Sequence, residues 1–269
     1  MTHPGARITV AELDEQVTET ARRDLYLDDG AMTILHGDAR VILRGQAPGA
    51  FDVVVTDVFH DISVPYHLVT REYAELVRSR LAPGGLYTLN LVDLFPDPRL
   101  VKSLLKTLRQ VFRHVHVWVH ELPREPLRMT FVVSASDGDG PPELIRSGRG
   151  LRRGWMRVTE PLGITGTPLG ELPLLRDDYV PVERLVSSLL LTARGSEPAF
   201  FVVWIAGRVT MRRHPGSVFA RLLVFFLSNP NIQGGGARHG PPDYQPAQVS
   251  KSGSHVVVTR SDVTVAGVL

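Results

Sequence analysis

The 269-residue sequence predicts an α/β fold built on a doubly wound, mostly parallel sheet. Three short apolar stretches each run into an acid: Ile8-Thr9-Val10-Ala11-Glu12-Leu13-Asp14, the strand entering His36-Gly37-Asp38-Ala39, and Phe51-Asp52-Val53-Val54-Val55-Thr56-Asp57. Helix-like segments separate them, which is the βαβ rhythm of a parallel sheet. Carboxylates thereby gather at the carboxyl ends of the strands, where ligands of open α/β sheets bind. An acid closing such a strand suits the two hydroxyls of a ribose, because an ionised carboxylate accepts two hydrogen bonds at once.

Each element follows from its residues. Arg7–Glu12 is β-branched and apolar without a breaker, hence a strand. Asp14 caps a helix over Glu15–Tyr26, whose Val17, Ala21 and Leu25 recur at helical spacing. Ala31–Leu35 is a second strand, Arg40–Leu43 a short helix after Asp38, and Gly45–Ala50 a loop. Phe51–Thr56 reads as a fully buried strand. Val69–Leu81 is an amphipathic helix stopped by Ala82-Pro83-Gly84-Gly85. Leu86–Val92 is a strand, Arg99–Phe112 a helix, and His114–Leu122 with Arg128–Ser134 a closing antiparallel pair. Residues 135–175, rich in Gly, Pro and Arg, read as a mobile connection and partly a lid. Residues 1–186 then form one domain that ends at Arg176–Leu185. Residues 187–269 form a basic tail with Gly234-Gly235-Gly236 and Pro241-Pro242, expected to be partly disordered.

Composition narrows the function classes. A hydrophobic fraction of 43% supports a packed core, and the absence of cysteine excludes disulfides, thiolate metal sites and a cysteine nucleophile. The net charge of +2 divides into +5 over residues 187–269 and −3 over residues 1–186, so the body is not a nucleic-acid surface. No basic apolar leader stands at residues 1–5, and no apolar run reaches the roughly 18 residues of a membrane helix, so no membrane association and a cytoplasmic location are expected. His60 and His67 match no metal-ligand spacing, and His114, His116 and His120 alternate along a strand; no metal is expected. Trp118 and Trp155 read as packing residues, and no Gly-x-Ser-x-Gly or phosphate-loop motif occurs.

The order of several motifs resembles the spermidine synthase family, the polyamine aminopropyltransferases built on the class I methyltransferase fold, in its divergent bacterial spermidine synthase-like branch. The matching residues are Glu12-Leu13-Asp14, Gly37-Asp38-Ala39, Asp52–Asp57, Val64–Glu72, Leu81–Gly85, Asn90 and Asp177–Leu185, spread in order over roughly residues 6–186. The resemblance implies a Rossmann-like sheet and transfer of an aminopropyl group from decarboxylated S-adenosylmethionine to a diamine such as putrescine. It implies that Glu12 binds the ribose hydroxyls, that Asp38 accepts from the adenine amine with Ala39 beside it, and that Asp57 is the catalytic base. Asp61 and Asp178, together with Asp93 and Asp177, are the acids that would attract the amine substrate. Family members commonly form homodimers.

The chemistry explains why an acid belongs at Asp57. An amine with a pKa near 10.4 attacks a sulfonium only in its neutral form, and an adjacent carboxylate orients it and takes its proton. Two positions depart from the family pattern. The second aspartate of the catalytic loop is His60 here, with Asp61 one residue later. The family's first strand and glycine-rich loop would precede Glu12 and have no counterpart in residues 1–6, as in a truncated or decayed copy; Phe200–Ile205 and Val256–Thr259 are the strand-like tail segments able to substitute. The alternatives to aminopropyl transfer are methyl transfer from S-adenosylmethionine and a non-catalytic remnant or interaction module.

Overall fold

A computed structural model describes residues 7–30, 32–57, 64–139, 142–146, 154–192 and 255–260. They form a nine-stranded sheet in the order β2-β1-β9-β3-β4-β6-β5-β8-β7. The strands are β1 (Arg7–Glu12), β2 (Met32–His36), β3 (Phe51–Asp57), β4 (Leu81–Phe95), β5 (His114–Val119), β6 (Leu127–Ser136), β7 (Leu144–Arg146), β8 (Gly154–Arg157) and β9 (His255–Arg260). The helices are α1 (Glu15–Asp24), α2 (Ala39–Arg44), α3 (Arg71–Arg80), α4 (Arg99–Leu108), α5 (Thr159–Ile164), α6 (Val182–Leu185) and α7 (Ser187–Thr192). Tracing the pairings, β1, β2, β3, β4, β5 and β7 point one way and β6, β8 and β9 the other. Six of the nine described strands thus share one direction, as the alternation of apolar runs and helices predicts, while the neighbouring pairs that are parallel are β1 with β2 and β3 with β4 and the others are antiparallel.

The centre of the sheet is filled from the tail. Strand β9, with its run Val256-Val257-Val258-Thr259, lies antiparallel between β1 and β3. It pairs Val257 with both Val10 and Val55, and His255 with both Glu12 and Asp57. Without it, two apolar strands would present unpaired N–H and C=O groups in the middle of the fold. Of the two candidate substitutes, Val256–Thr259 takes the position, in the opposite direction to its neighbours, and Phe200–Ile205 lies outside the described residues. So does Gly234-Gly235-Gly236. Past residue 186, α7 continues from α6 with Leu189 buried in the core.

Local chemistry sets the element ends. Asp14 accepts from the Gln16 N–H at 2.9 Å and Thr70 from the Tyr73 N–H at 3.1 Å, capping α1 and α3. Helix α1 stops at Asp24, two residues before the expected end, because Tyr26 takes a positive φ of 56°. Leu81 opens β4 instead of closing α3, and the Ala82–Gly85 breaker becomes a bulge: Phe51 pairs Leu81 and Val53 pairs Leu86. Gly84 makes that bulge possible at φ +74°.

The reading of residues 135–175 as a mobile connection is corrected for the described residues among them. Strands β7 and β8 extend the sheet there, and helix α5 follows. Trp155 of β8 joins Trp118, Val132 and Ile145 in an apolar cluster, and burial of two indoles outweighs the loop-like composition. The loop beyond α5 is tied down too. The Lys102 ammonium, fully buried, donates to Asp97 at 2.8 Å and to the carbonyls of Thr165 and Thr167.

Side chains alternate between two faces with the period of a strand. Val117 and Val133 enter the main core with Leu100, Leu104, Leu105 and Leu108 of α4, while Trp118 and Val132 enter the tryptophan cluster. Among the described residues, no helix is long and apolar enough to cross a membrane.

Candidate functional site

Three acids stand at the carboxyl edge of the parallel strands, each in a different electrical environment. Glu12 ends β1 opposite His36 of β2, and its carbonyl accepts from the Gly37 N–H at 2.8 Å. Its carboxyl Oε1 accepts from the Asp14 N–H at 2.8 Å. The residue is only 1% exposed. Burial pushes its pKa up to about 8, against the pull of the Asp14 N–H. At neutral pH the acid is mostly protonated, with an O–H to donate as well as oxygens to accept.

Asp38 follows Gly37 and caps α2. Its Oδ1 accepts from the Val41 N–H at 2.9 Å, and its Oδ2 lies 2.7 Å from His67 Nε2. Partial burial acts to raise this carboxyl, but the hydrogen bonds from Val41 and His67 carry it below its ordinary value. Ala39, beside it, opens α2 and is buried in the main core.

Asp57 ends β3 and keeps part of its surface exposed. Enough protein surrounds the carboxyl that desolvation pushes its pKa up to about 6, while the Asn90 side chain donates to it and pulls the other way. The register explains that bond, since Thr56 pairs with Leu89 and Asp57 and Asn90 lie one step further along. Glu12 and Asp57 are both level with residue 255 of β9, so two strand spacings, roughly 10 Å, separate their backbones.

The other acids divide sharply. Asp61, with His60, lies outside the described residues. Asp178 is exposed, with Oδ1 3.8 Å from Arg176 Nε. Asp177 grips the Arg40 guanidinium with two bonds of 2.8 and 2.6 Å, and its N–H donates to Glu72 at 3.0 Å. Asp93 does not face the carboxyl edge as a substrate acid. It is buried and accepts from the N–H groups of Leu94, Leu100 and Val101 at 2.8, 2.9 and 3.1 Å, which anchors the start of α4. Desolvation still raises it to about 7.

From sequence, His67 reads only as a surface or subsite histidine, Arg40 has no role, and nothing joins Asn90 to Asp57. His67 is 29 residues from Asp38 and sits in a 3₁₀ turn, Tyr66–Leu68, so no local periodicity joins them. Among the described residues, no group of three or more His, Asp or Glu is arranged to hold a metal ion.

Residues 1–142 match the spermine/spermidine synthase domain. Polyamine aminopropyltransferase 2 of Pseudomonas aeruginosa is 32% identical over 126 residues, 44% of this chain and 36% of that protein. Putrescine N-methyltransferase 4 of Nicotiana tabacum is 25% identical over 112 residues, covering 40% of this chain and 29% of that protein. A probable spermidine synthase from Corynebacterium glutamicum superposes with a TM-score of 0.45 at 29% identity, over 53% of this chain and 50% of that one. The chain spans less than half the length of the first curated relatives it matches, 36%, 30% and 43%.

Proposed function

The chain belongs to the spermine/spermidine synthase family, and from that premise we propose that it is an aminopropyltransferase using decarboxylated S-adenosylmethionine and a diamine. The observation that supports the reading is that Glu12, Asp38 and Asp57 stand along one edge of the sheet, at or just past the ends of β1, β2 and β3, with burial raising Glu12 and Asp57 and hydrogen bonds lowering Asp38. Acids held apart in this way take different tasks. Asp38, ionised, accepts from the adenine amine, with Ala39 beside the base. Glu12 meets the ribose hydroxyls, which can both donate to it and accept from it.

Asp57 acts on the amine. The nitrogen lone pair forms a bond to the aminopropyl carbon attached to the sulfonium sulfur, and the carbon–sulfur bond breaks with its electrons going to sulfur. The nitrogen loses a proton to Asp57, and methylthioadenosine leaves. A carboxyl poised near 6 is ionised at neutral pH yet more basic than an ordinary aspartate, which favours proton acceptance. The Asn90 amide holds it in place. Asp178 and Asp61 complete the proposal as acids that attract the cationic substrate, and residues 1–186 as the nucleoside-binding unit.

Titration calorimetry with methylthioadenosine tests the nucleoside half, with binding expected in wild type and lost in Glu12→Ala. An amine-acceptor screen tests the transfer half, with turnover abolished and nucleoside binding kept in Asp57→Ala. No binding by a folded sample would refute the reading. A second reading, methyl transfer from S-adenosylmethionine, is supported by the similarity to a putrescine N-methyltransferase. Methylated product from S-adenosylmethionine would select it.

A further inference from the structure

We propose that His67 is a positioning residue that sets the Asp38 carboxylate for discriminating adenine from its 6-oxo analogue; the proposal rests on the nucleoside reading above. Both oxygens of Asp38 are engaged from different segments, Oδ1 by the Val41 N–H of α2 and Oδ2 by His67 Nε2 of the 3₁₀ turn. An ionised carboxylate only accepts, so Nε2 carries the hydrogen. The backbone N–H groups of Val41 and Arg40 in the first turn of α2 hold the carboxylate from one segment and His67 holds it from another, so its plane is fixed between two elements.

His67 is itself held. The Arg40 guanidinium donates to its carbonyl at 3.1 Å while gripping Asp177, and the Tyr66 ring meets the imidazole edge-on at a centroid distance of 5.5 Å. The next residue, Leu68, is buried in the main core. The 2.7 Å pair nonetheless stays reachable, with side chains 32% and 35% exposed. With three donors on about four acceptor positions, the carboxylate retains capacity for one more donor. The amine of adenine is such a donor, whereas the oxygen of a 6-oxopurine would meet the carboxylate as acceptor against acceptor.

The test titrates the full chain with methylthioadenosine and methylthioinosine, for wild type, His67→Ala and His67→Gln. Wild type is expected to prefer methylthioadenosine. His67→Ala is expected to weaken methylthioadenosine roughly tenfold, the worth of one charge-assisted hydrogen bond, and to change methylthioinosine less than twofold. His67→Gln, which keeps an amide donor, should recover part of the preference. Equal loss for both nucleosides, or an unchanged ratio in His67→Ala, would reduce His67 to a structural tie and overturn the proposal. If His67→Ala does not fold, His67→Gln decides: an adenine preference reduced from wild type supports the proposal, and an unreduced preference or equal loss for both nucleosides overturns it. Wild type binding neither nucleoside would instead overturn the nucleoside reading itself.

Discussion

Glu12→Gln should make this protein more stable at neutral pH while weakening nucleoside binding. The buried carboxyl has a pKa of about 8 in the folded chain against an ordinary 4.5. Below pH 4.5 it is protonated in both folded and unfolded states, and its ionisation has no effect on stability. Between 4.5 and 8 the unfolded chain releases the proton and the folded chain keeps it, so stability falls by about 1.4 kcal/mol per pH unit. At pH 7 the accumulated cost is on the order of 3 kcal/mol, and it levels off above pH 8. Glutamine has nothing to ionise, and its amide oxygen can still accept from the Asp14 N–H. Urea unfolding followed by fluorescence of the buried Trp118 and Trp155 at pH 5, 6, 7 and 8 measures this directly. The stability difference between variant and wild type should widen with pH at about the stated slope. A difference that stays flat from pH 5 to 8 would refute the reasoning, because it would mean that folded Glu12 ionises as an exposed glutamate does.

Turnover should fall as pH drops through about 6, with unit slope, because protonated Asp57 cannot accept the proton of the amine; a pH–rate profile measures it, and Asp57→Asn should be inactive at every pH. Asp93→Ala should destabilise by about 2 kcal/mol through three orphaned N–H groups at the start of α4, with methylthioadenosine affinity unchanged by calorimetry. Removing residues 255–269 should lower the melting temperature and promote association, measured by light scattering, since β1 and β3 would lose their shared partner.

Much of the site was legible because acids at strand ends are a one-dimensional pattern. Glu12, Asp38 and Asp57 each close or follow an apolar run, and the structure puts them along one edge. The Gly37-Asp38 capping turn was legible for the same reason: local spacing reports local geometry. Residues 135–175 were misread because Gly, Pro and Arg content describes a loop only when nothing large is buried, and Ile145 and Trp155 are. Asp93 was offered to the substrate because sequence shows its charge but not the three N–H groups around it.

By itself the sequence determined the α/β class, the capping acids and the three edge carboxyls, because all of these follow from side-chain period, β-branching and breakers among near neighbours. Only the tertiary structure decided that β9, some 200 residues beyond β3 and some 240 beyond β1, lies antiparallel between them. It alone decided that His67 meets Asp38, that Asp177 pairs with Arg40, and that burial raises the Glu12 carboxyl while hydrogen bonds lower that of Asp38. Pairing partners and desolvation depend on which groups meet in space. Between segments so far apart in the chain, that is set by burial of the whole apolar set and by satisfaction of every backbone donor, which no local stretch of residues encodes.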